Sequence, residues 1–303
     1  MITNRLGMRG AKRAHRLRAP VSGTLLLTYA ILIVVSVVTT LPLFWAVSTS
    51  LKPFKDVVAY PPVLWPAQPQ WSNYIPVFTN WDIVTHFRNT MIIAIGSALA
   101  HVCAGSLTAY AFSKLYCPIR NVLFGLVLAT IMLPGFVTFI PVYVMFHRLG
   151  MVNSFFPFLI PPWFGGAPWN IFLLRQFFMT IPDDLIHAAR VDGAGEFRIF
   201  AQVVAPLAKP AMATIFLFSF MGSWNDFFGP YIYLTKRSLW PFALALHALR
   251  QELVSGVGVG VVGSMTQNIM MGASLVVALP VFFLFLFTQR FFIEGITITG
   301  MKG

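Results

Sequence analysis

Charge is scarce in this chain of 303 residues: Asp, Glu, Lys and Arg make up 10% of it, against roughly a quarter in soluble proteins. Acidic residues are the scarcest, since 9 of them stand against 21 basic residues and give a formal net charge of +12. Hydrophobic residues account for 57%, and the mean hydropathy is +0.77. This composition excludes an ordinary soluble domain and indicates a protein whose solvent is a lipid bilayer.

Cysteines and catalytic motifs are few or missing. The two cysteines, Cys103 and Cys117, are too close in sequence and too differently placed for a disulfide framework. The sequence has no Gly-x-x-x-x-Gly-Lys-Ser/Thr phosphate loop, no Cys/His cluster at metal-binding spacing and no nucleophilic triad. We therefore predict no enzymatic activity, metal or cofactor of this chain's own. Nucleic acid is not an expected partner, because the basic residues flank apolar runs instead of covering one soluble face.

Six apolar stretches are candidates for membrane spans, each of which needs about 20 residues. They lie at approximately 22–49, 89–113, 121–146, 154–179, 207–234 and 269–293. They predict an all-α, polytopic fold with a six-helix transmembrane domain over residues 22–293. The first stretch is longer than the apolar core of a secretory signal and has no clear cleavage site, so we expect a retained helix. Residues 51–88 and 235–268 are then outer loops.

The basic residues predict the orientation of these spans. Six of them precede the first span: Arg5, Arg9, Lys12, Arg13, Arg16 and Arg18. With six spans, fourteen of the 21 basic residues fall on the same side as the N-terminus and seven on the other. By the positive-inside rule, the N-terminal segment 1–21 and the tail 294–303 are both cytoplasmic.

The fourth stretch contains residues that break helices in its first half: Pro157, Pro161, Pro162, Gly165, Gly166 and Pro168. We predict a broken or partly irregular segment there. Irregular backbone at membrane depth requires protein or a watery cavity beside it, so the segment could line a pathway. The alternative is a plain outer loop before a short helix, and both interpretations stay open.

A polar segment at residues 182–206 lies between two long apolar runs and must therefore protrude into water. Pro182 is suited to the first turn of a helix, and Asp183 and Asp184 complement the positive end of its dipole. Gly193 can end that helix in a left-handed conformation. Apolar residues then recur at helical spacing until Pro206, namely Phe197, Phe200 and Val204. The pattern predicts a helix, a turn and a second helix.

The side chains of this segment indicate docking and not catalysis. Leu185, Ala188, Ala189 and Asp192 share one face of the first helix. The small alanines leave room for a partner to approach the backbone closely, whereas the phenylalanines are expected to anchor the segment on neighbouring span ends.

The same segment resembles the EAA loop of inner-membrane permeases of binding-protein-dependent ABC importers, specifically the carbohydrate-uptake type, as in the second permease of maltose transporters. The family pattern is Glu-Ala-Ala, three residues, Gly, nine residues, then Ile-x-Leu-Pro. The matching positions are His187, Ala188, Ala189, Gly193, Val203, Ala205 and Pro206. Further similarity is found at Asp192-Gly193-Ala194, Ser50-Leu51-Lys52, Trp224-Asn225-Asp226 and the tail Glu294–Thr297 with Lys302-Gly303.

The resemblance implies a type I ABC importer permease fold, a place in the inner membrane and import of a sugar or sugar derivative by alternating access. It also implies four kinds of partner: a second homologous permease, two cytoplasmic ABC ATPases that bind ATP and Mg²⁺, an extracytoplasmic sugar-binding protein, and lipid. The implied ATPase contacts in the segment are His187, Ala188, Ala189, Asp192, Gly193, Ala194, Phe197 and Pro206. Thr299, Gly300 and Lys302 would insert between the ATPase subunits.

His187 departs from the family pattern, which has a glutamate at this position facing the ATPase. Histidine can hydrogen-bond as a neutral ring or carry a positive charge in the physiological pH range. We hypothesise that coupling is weakly pH-dependent or matched to an altered ATPase groove. Unchanged ATPase coupling and an unchanged pH profile in a His187→Glu variant would contradict this hypothesis. The alternative is that Ala188, Ala189 and Gly193 suffice for docking.

Two further sites keep two interpretations each. The Trp224-Asn225-Asp226 run could contact sugar, with a ring for stacking and polar groups for hydroxyls, or it could be a structural lock between helices or an interfacial group. His101 could relay protons or be a hydrogen-bonded packing residue. A self-sufficient secondary carrier would use Asp226 and His101 for ion coupling, and a membrane scaffold would use 182–206 only to recruit a soluble protein.

Overall fold

The computed structural model describes residues 23–79, 81–255 and 267–300, with the side chains of 252–255 and 290–300 excepted. Within those ranges every regular element is a helix, which confirms the predicted all-α class. The longer helices are α1 Gly23–Ser50, α2 Ile83–Lys114, α3 Arg120–Ile131, α4 Gly135–Arg148, α5 Pro168–Met179, α6 Asp183–Val191, α7 Glu196–Leu207, α8 Lys209–Asn225, α9 Phe242–Ser255 and α10 Gln267–Gly300. The short helical turns are Phe54–Val57, Trp71–Tyr74, Ile75–Thr79, Phe156–Leu159, Pro161–Trp163, Phe228–Tyr233 and Arg237–Leu239.

Three of the described helices are by themselves long and apolar enough to cross a membrane: α1, α2 and the Gln267–Gln289 part of α10. They correspond to the first, second and sixth predicted spans. The helix pairs α3–α4 and α7–α8 reach spanning length only as bent units, with bends of 96° and 82°. The described chain thus has three spanning helices, or up to five if each bent pair is one span, and not six straight ones.

The predicted third span, 121–146, is bent because Pro134 interrupts it. Helix α3 ends at Ile131, and Pro134 has an extended conformation (φ −59°, ψ 130°) immediately before α4. The proline ring disfavours helical geometry in the residue before it. The apolar composition of 121–146 therefore does not predict the change in chain direction between α3 and α4.

The predicted fourth span is broken, as its prolines and glycines indicate. A four-residue helix, Phe156–Leu159, and a single turn, Pro161–Trp163, precede α5. Gly166 has a φ of +78° and lies against α2, because a Cβ built on it would be 2.8 Å from the Cα of Gly105. The irregular backbone thus lies against protein, which is the condition under which it is tolerated at membrane depth.

The predicted outer loop 235–268 contains a helix that the sequence interpretation missed, α9. Its apolar positions Phe242, Ala245 and Leu249 recur at helical spacing and are buried. The glycine-rich residues 256–266 that suggested a loop lie outside the described residues.

Two hydrophobic clusters place α2 at the centre of the fold. One joins α2 to α8, α9 and α10 through buried residues that include Ala94, Phe220, Trp224, Phe242 and Ile269. The other joins α2 to α5, α6 and α7 through Tyr110, Leu174, Phe178, Ile186 and Phe200. By its internal contacts the chain divides into two compact units, one up to Ala46 and one from Val47 onward. Both clusters, and every site described below, lie in the second unit.

Candidate coupling surface

The predicted helix, turn and helix of residues 182–206 are present. Helix α6 follows Pro182 directly and carries Asp183 and Asp184 in its first turn. Gly193 ends it with a φ of +78°, and its N–H donates to the carbonyl of Arg190 while that of Ala194 donates to Ala189. These two hydrogen bonds form a Schellman motif, which satisfies carbonyls that the helix end would leave unpaired. Glycine is favoured at this position because a Cβ there costs roughly 1–2 kcal/mol.

The second helix, α7, does not stop at Pro206 as predicted. It continues to Leu207 and contains a π-helical turn over Phe200–Val204. The N–H of Ala205 donates to the carbonyl of Phe200, five residues back, which widens the turn just before the proline. The wide turn relieves the clash that a proline ring has with the carbonyl four residues earlier. The chain then bends by 82° into α8.

Isoleucines and one phenylalanine hold this segment on the ends of the spans. Ile186 is 2% exposed, and Ile199 and Phe200 are buried beside it. The ring of Phe200 lies 5.5 Å from that of Tyr110 in α2. Burying one such side chain contributes about 1.5–3 kcal/mol. Phe197 is not an anchor as predicted, because it is 73% exposed; Ile186 and Ile199, which the sequence interpretation missed, perform that role.

Polar contacts join the same segment to α2. Lys114 Nζ donates to Asp183 Oδ1 at 2.6 Å and to the carbonyl oxygen of Ile181 at 2.7 Å. Tyr110 donates its hydroxyl hydrogen to Glu196 Oε2 at 2.7 Å, and Arg190 Nε donates to Glu196 Oε1 at 2.8 Å. The sequence interpretation did not identify the two contacts to α2, because Tyr110 and Lys114 are about 70 or more residues away from Glu196 and Asp183 along the chain.

The residues predicted to meet the partner lie mostly at the surface of the described chain. His187, Ala188, Asp192, Gly193, Phe197 and Pro206 are exposed, and Ala189 and Ala194 are partly buried against the cluster below. We call this surface the α6 surface. It combines small side chains with a buried apolar support, and its described residues offer no arrangement of nucleophile, base or metal ligands. The geometry suits docking of a protein and not chemistry.

The Lys114–Asp183 contact predicts an acid-dependent contribution to stability. The pKa of the Asp183 carboxyl lies below its ordinary value of 3.8, first because Lys114 donates a hydrogen bond to it and second because the ammonium is positively charged. A depressed pKa in the folded state gives stability that is fully present above the unfolded pKa and lost as the pH falls through the folded pKa. We expect the melting temperature difference between wild type and Asp183→Asn to be constant from about pH 5 to 8 and to shrink below pH 3.8.

The matched control for this measurement is Asp184→Asn. Asp184 also lies in the first turn of α6 but makes no hydrogen bond to Lys114. Its substitution should give no difference that tracks the titration of Asp183. Equal pH profiles for the two variants would contradict a role for the Lys114 contact.

The Trp224-Asn225-Asp226 run lies at the end of α8. Trp224 is buried and stacks on Phe220 with ring centroids 5.4 Å apart, also contacting Phe87 and Phe242. Asn225 is exposed and donates back to Met221, and Asp226 Oδ1 accepts from the N–H of Gly229 at 3.1 Å. These contacts favour the structural interpretation for Trp224 and Asp226, while the Asn225 amide lies at the surface of the chain.

The predicted tail continues the last helix. Helix α10 continues past residue 293 without a break, so Thr299 and Gly300 belong to the same helix as the last span, and Lys302 lies outside the described residues. The predicted boundary between span and tail at 293 is therefore not a break in the helix, because no proline interrupts 294–300.

His101 is half-buried, and its Nδ1 forms a hydrogen bond with the carbonyl of Ser97 at 2.9 Å. This contact favours the hydrogen-bonded packing residue over the proton relay.

Helices able to cross a membrane, together with an exposed polar segment anchored on them by buried apolar side chains, define a polytopic membrane subunit. The chain belongs to the family of binding-protein-dependent transport system inner membrane components, whose sequence model matches residues 101–293. It is therefore the permease component of an ABC importer in the inner membrane, a transport subunit and not an enzyme.

Relatives extend over most of the chain. The diacetylchitobiose uptake system permease protein NgcG of Streptomyces coelicolor is 28% identical over 87% of this chain and 84% of its own. The arabinooligosaccharides transport system permease protein AraQ of Bacillus subtilis is 28% identical over 86% and 90%. The sn-glycerol-3-phosphate transport system permease protein UgpE of Pectobacterium atrosepticum is 30% identical over 80% and 85%. The similarity therefore covers the spans and not only the 182–206 segment.

A solved structure has the same fold. A crystal structure of a bacterial ABC transporter involved in the import of the acidic polysaccharide alginate matches 88% of this chain and 95% of its own with a TM-score of 0.75 at 24% identity. The type I ABC importer permease fold is thereby established for this chain.

Proposed function

We propose that this chain is the permease subunit of a sugar importer and that the α6 surface receives a cytoplasmic ABC ATPase. The observation that carries the proposal is the combination of exposed small residues on α6 with the buried support beneath them, Ile186, Ile199 and Phe200. A surface with small exposed side chains lets a docked subunit approach closely, and the buried side chains beneath it transmit the movement of that subunit to the spans.

The proposed assembly has a second, homologous permease, two ATPases and an extracytoplasmic sugar-binding protein. Membership of a binding-protein-dependent family supports the last of these. A related transporter, the bacterial alginate importer, has been crystallised with an alginate pentasaccharide-bound periplasmic protein. ATP and Mg²⁺ are bound by the ATPases, and this chain contributes docking and the pathway. Thr299, Gly300 and Lys302 are proposed to reach the ATPases, so deletion of 299–303 should lower transport-coupled hydrolysis without preventing insertion.

The orientation follows from the basic residues. With the six predicted spans, fourteen of the 21 basic residues fall on the side of the N-terminus, together with the 182–206 segment, which supports a cytoplasmic location for both termini and the α6 surface. ATP-driven closure of the ATPases would move α6 and α7, and the spans behind them would rock to open the pathway to one side or the other.

The proposed substrate is a sugar or sugar derivative. The names of the relatives refer to diacetylchitobiose, arabino-oligosaccharides and glycerol phosphate, which are all small and rich in hydroxyl groups. The composition of the complex tests the whole proposal. We expect the N-terminally tagged chain, extracted gently from native membranes, to be recovered with a second permease and two ATPase copies.

The ATPase of that complex should be stimulated by a sugar-loaded binding protein. A solitary chain that transports without ATP would instead establish the secondary carrier. A chain that binds a soluble protein but moves no solute would establish the scaffold.

A further inference from the structure

The outer end of α2 is fixed by polar contacts to the segment that leads into α9. Asn89 Nδ2 donates to the carbonyl oxygens of Ser238 at 2.9 Å and Trp240 at 3.2 Å. The N–H of Phe242, the first residue of α9, donates to Thr90 Oγ1 at 2.8 Å. Asn89 and Thr90 are at most 1% exposed, so these contacts are sheltered from water. Away from water, no solvent molecule competes for the donor or the acceptor.

The inner end of α2 is fixed in the same way to the 182–206 segment. Lys114 and Tyr110 are each 4% exposed, whereas their partners Asp183 and Glu196 reach the surface. Each contact therefore runs from a side chain of α2 with little exposure to a charged group of the segment proposed to meet the ATPase.

Helix α2 is continuous between these ends. It has 32 residues and contains no proline, so about 30 Å separate Thr90 from Tyr110 at 1.5 Å per residue. It also packs against the broken fourth span at Gly105 and Gly96, where a Cβ on Gly96 would come within 2.6 Å of Leu159. A continuous helix held along its length moves as one body.

Resting on the proposed function, we propose that α2 is the transmission element of this permease and links the ATPase-docking segment at one end to residues 238–242 on the binding-protein side at the other. Lys114 and Tyr110 are positioning residues at the inner end, and Asn89 and Thr90 are positioning residues at the outer end. Hydrogen bonds have preferred directions, whereas apolar contacts allow sliding, so the polar ends oblige both segments to follow α2.

Two single variants and their double test this proposal in the purified complex. Thr90→Val removes the acceptor for Phe242, and Tyr110→Phe removes the donor to Glu196, with little change in shape at either site. We expect each to lower stimulation of ATPase by the loaded binding protein about fivefold or more, the usual range for coupling between sites, and to leave basal hydrolysis unchanged. The double variant should lower stimulation no further than the more impaired single variant does, because each single change already interrupts the same transmission path.

The control is Thr108→Val, the same change in the same helix. Among the described residues, the Thr108 hydroxyl donates to the carbonyl of Ala104 within α2 and to no other element, so stimulation should be unchanged. If Tyr110→Phe fails to assemble, Glu196→Ala removes the same contact from the exposed side, together with the contact from Arg190. Multiplying effects in the double variant, as independent distant sites give, would overturn the proposal, and so would full stimulation in both singles. A wild-type chain without any ATPase would instead refute the proposed function.

Discussion

Replacing Ala188 with tyrosine is expected to reduce sugar uptake about ten- to hundredfold while the protein still inserts and folds. Ala188 is exposed on α6 and lies at the centre of the α6 surface, so the ring meets no part of this chain's core. In the assembled transporter it would fill the space in which the ATPase approaches the backbone. Overpacking a tight contact costs typically about 1–3 kcal/mol, and every ~1.4 kcal/mol is a factor of ten.

The measurement is uptake of labelled sugar together with the amount of ATPase recovered with the tagged permease. Ala67→Tyr is the matched control, because Ala67 is also an exposed alanine but lies in the predicted outer loop 51–88, outside the 182–206 segment. It should retain both uptake and ATPase. Normal uptake in Ala188→Tyr would show that α6 does not dock closely against a partner.

Replacing Gly166 with alanine is expected to destabilise the protein by roughly 2–5 kcal/mol, a sum of backbone strain and overpacking. Gly166 has a φ of +78°, and the added Cβ would lie 2.8 Å from the Cα and 3.0 Å from the N of Gly105. Both contacts are with backbone in the middle of α2, which cannot rotate away as a side chain could. The broken fourth span would have to separate from α2.

Gly165→Ala distinguishes the two causes. Gly165 also has a positive φ, +98°, but a Cβ there would meet only the Thr108 hydroxyl at 3.7 Å, an ordinary contact distance. It therefore carries the backbone strain without the clash. We expect the melting temperature of the detergent-solubilised protein to be several degrees lower for Gly166→Ala than for Gly165→Ala. Equal values would mean that the turn does not pack tightly on α2.

Several elements of the fold followed from local chemistry. The first helix of the 182–206 segment was predictable because Pro182, two aspartates and Gly193 act through contacts within a few residues. The broken fourth span followed from proline and glycine, whose backbone restrictions do not depend on the rest of the fold. The apolar spans followed from the requirement of the bilayer for apolar surface.

The predictions that differ from the structure also share a cause. The 96° bend after α3 and the continuation of α7 past Pro206 depend on how neighbouring backbone absorbs a proline, by an extended residue in one case and a π turn in the other. Phe197 and Phe200 belong to the same apolar pattern in α7, yet Phe197 is exposed and Phe200 is buried. The difference arises because Phe200, and not Phe197, contacts the ring of Tyr110.

The sequence by itself determined that this is a helical membrane protein, where a polar segment separates two long apolar runs, and which family it resembles. These depend on composition, on local backbone preferences and on motif spacing. Only the tertiary structure decided that α2 is the central helix and that its two ends make buried polar contacts with segments far away along the chain. Hydrogen bonds across such separations depend on which helices become neighbours, and apolar side chains, which are interchangeable in pattern, do not specify those neighbours individually.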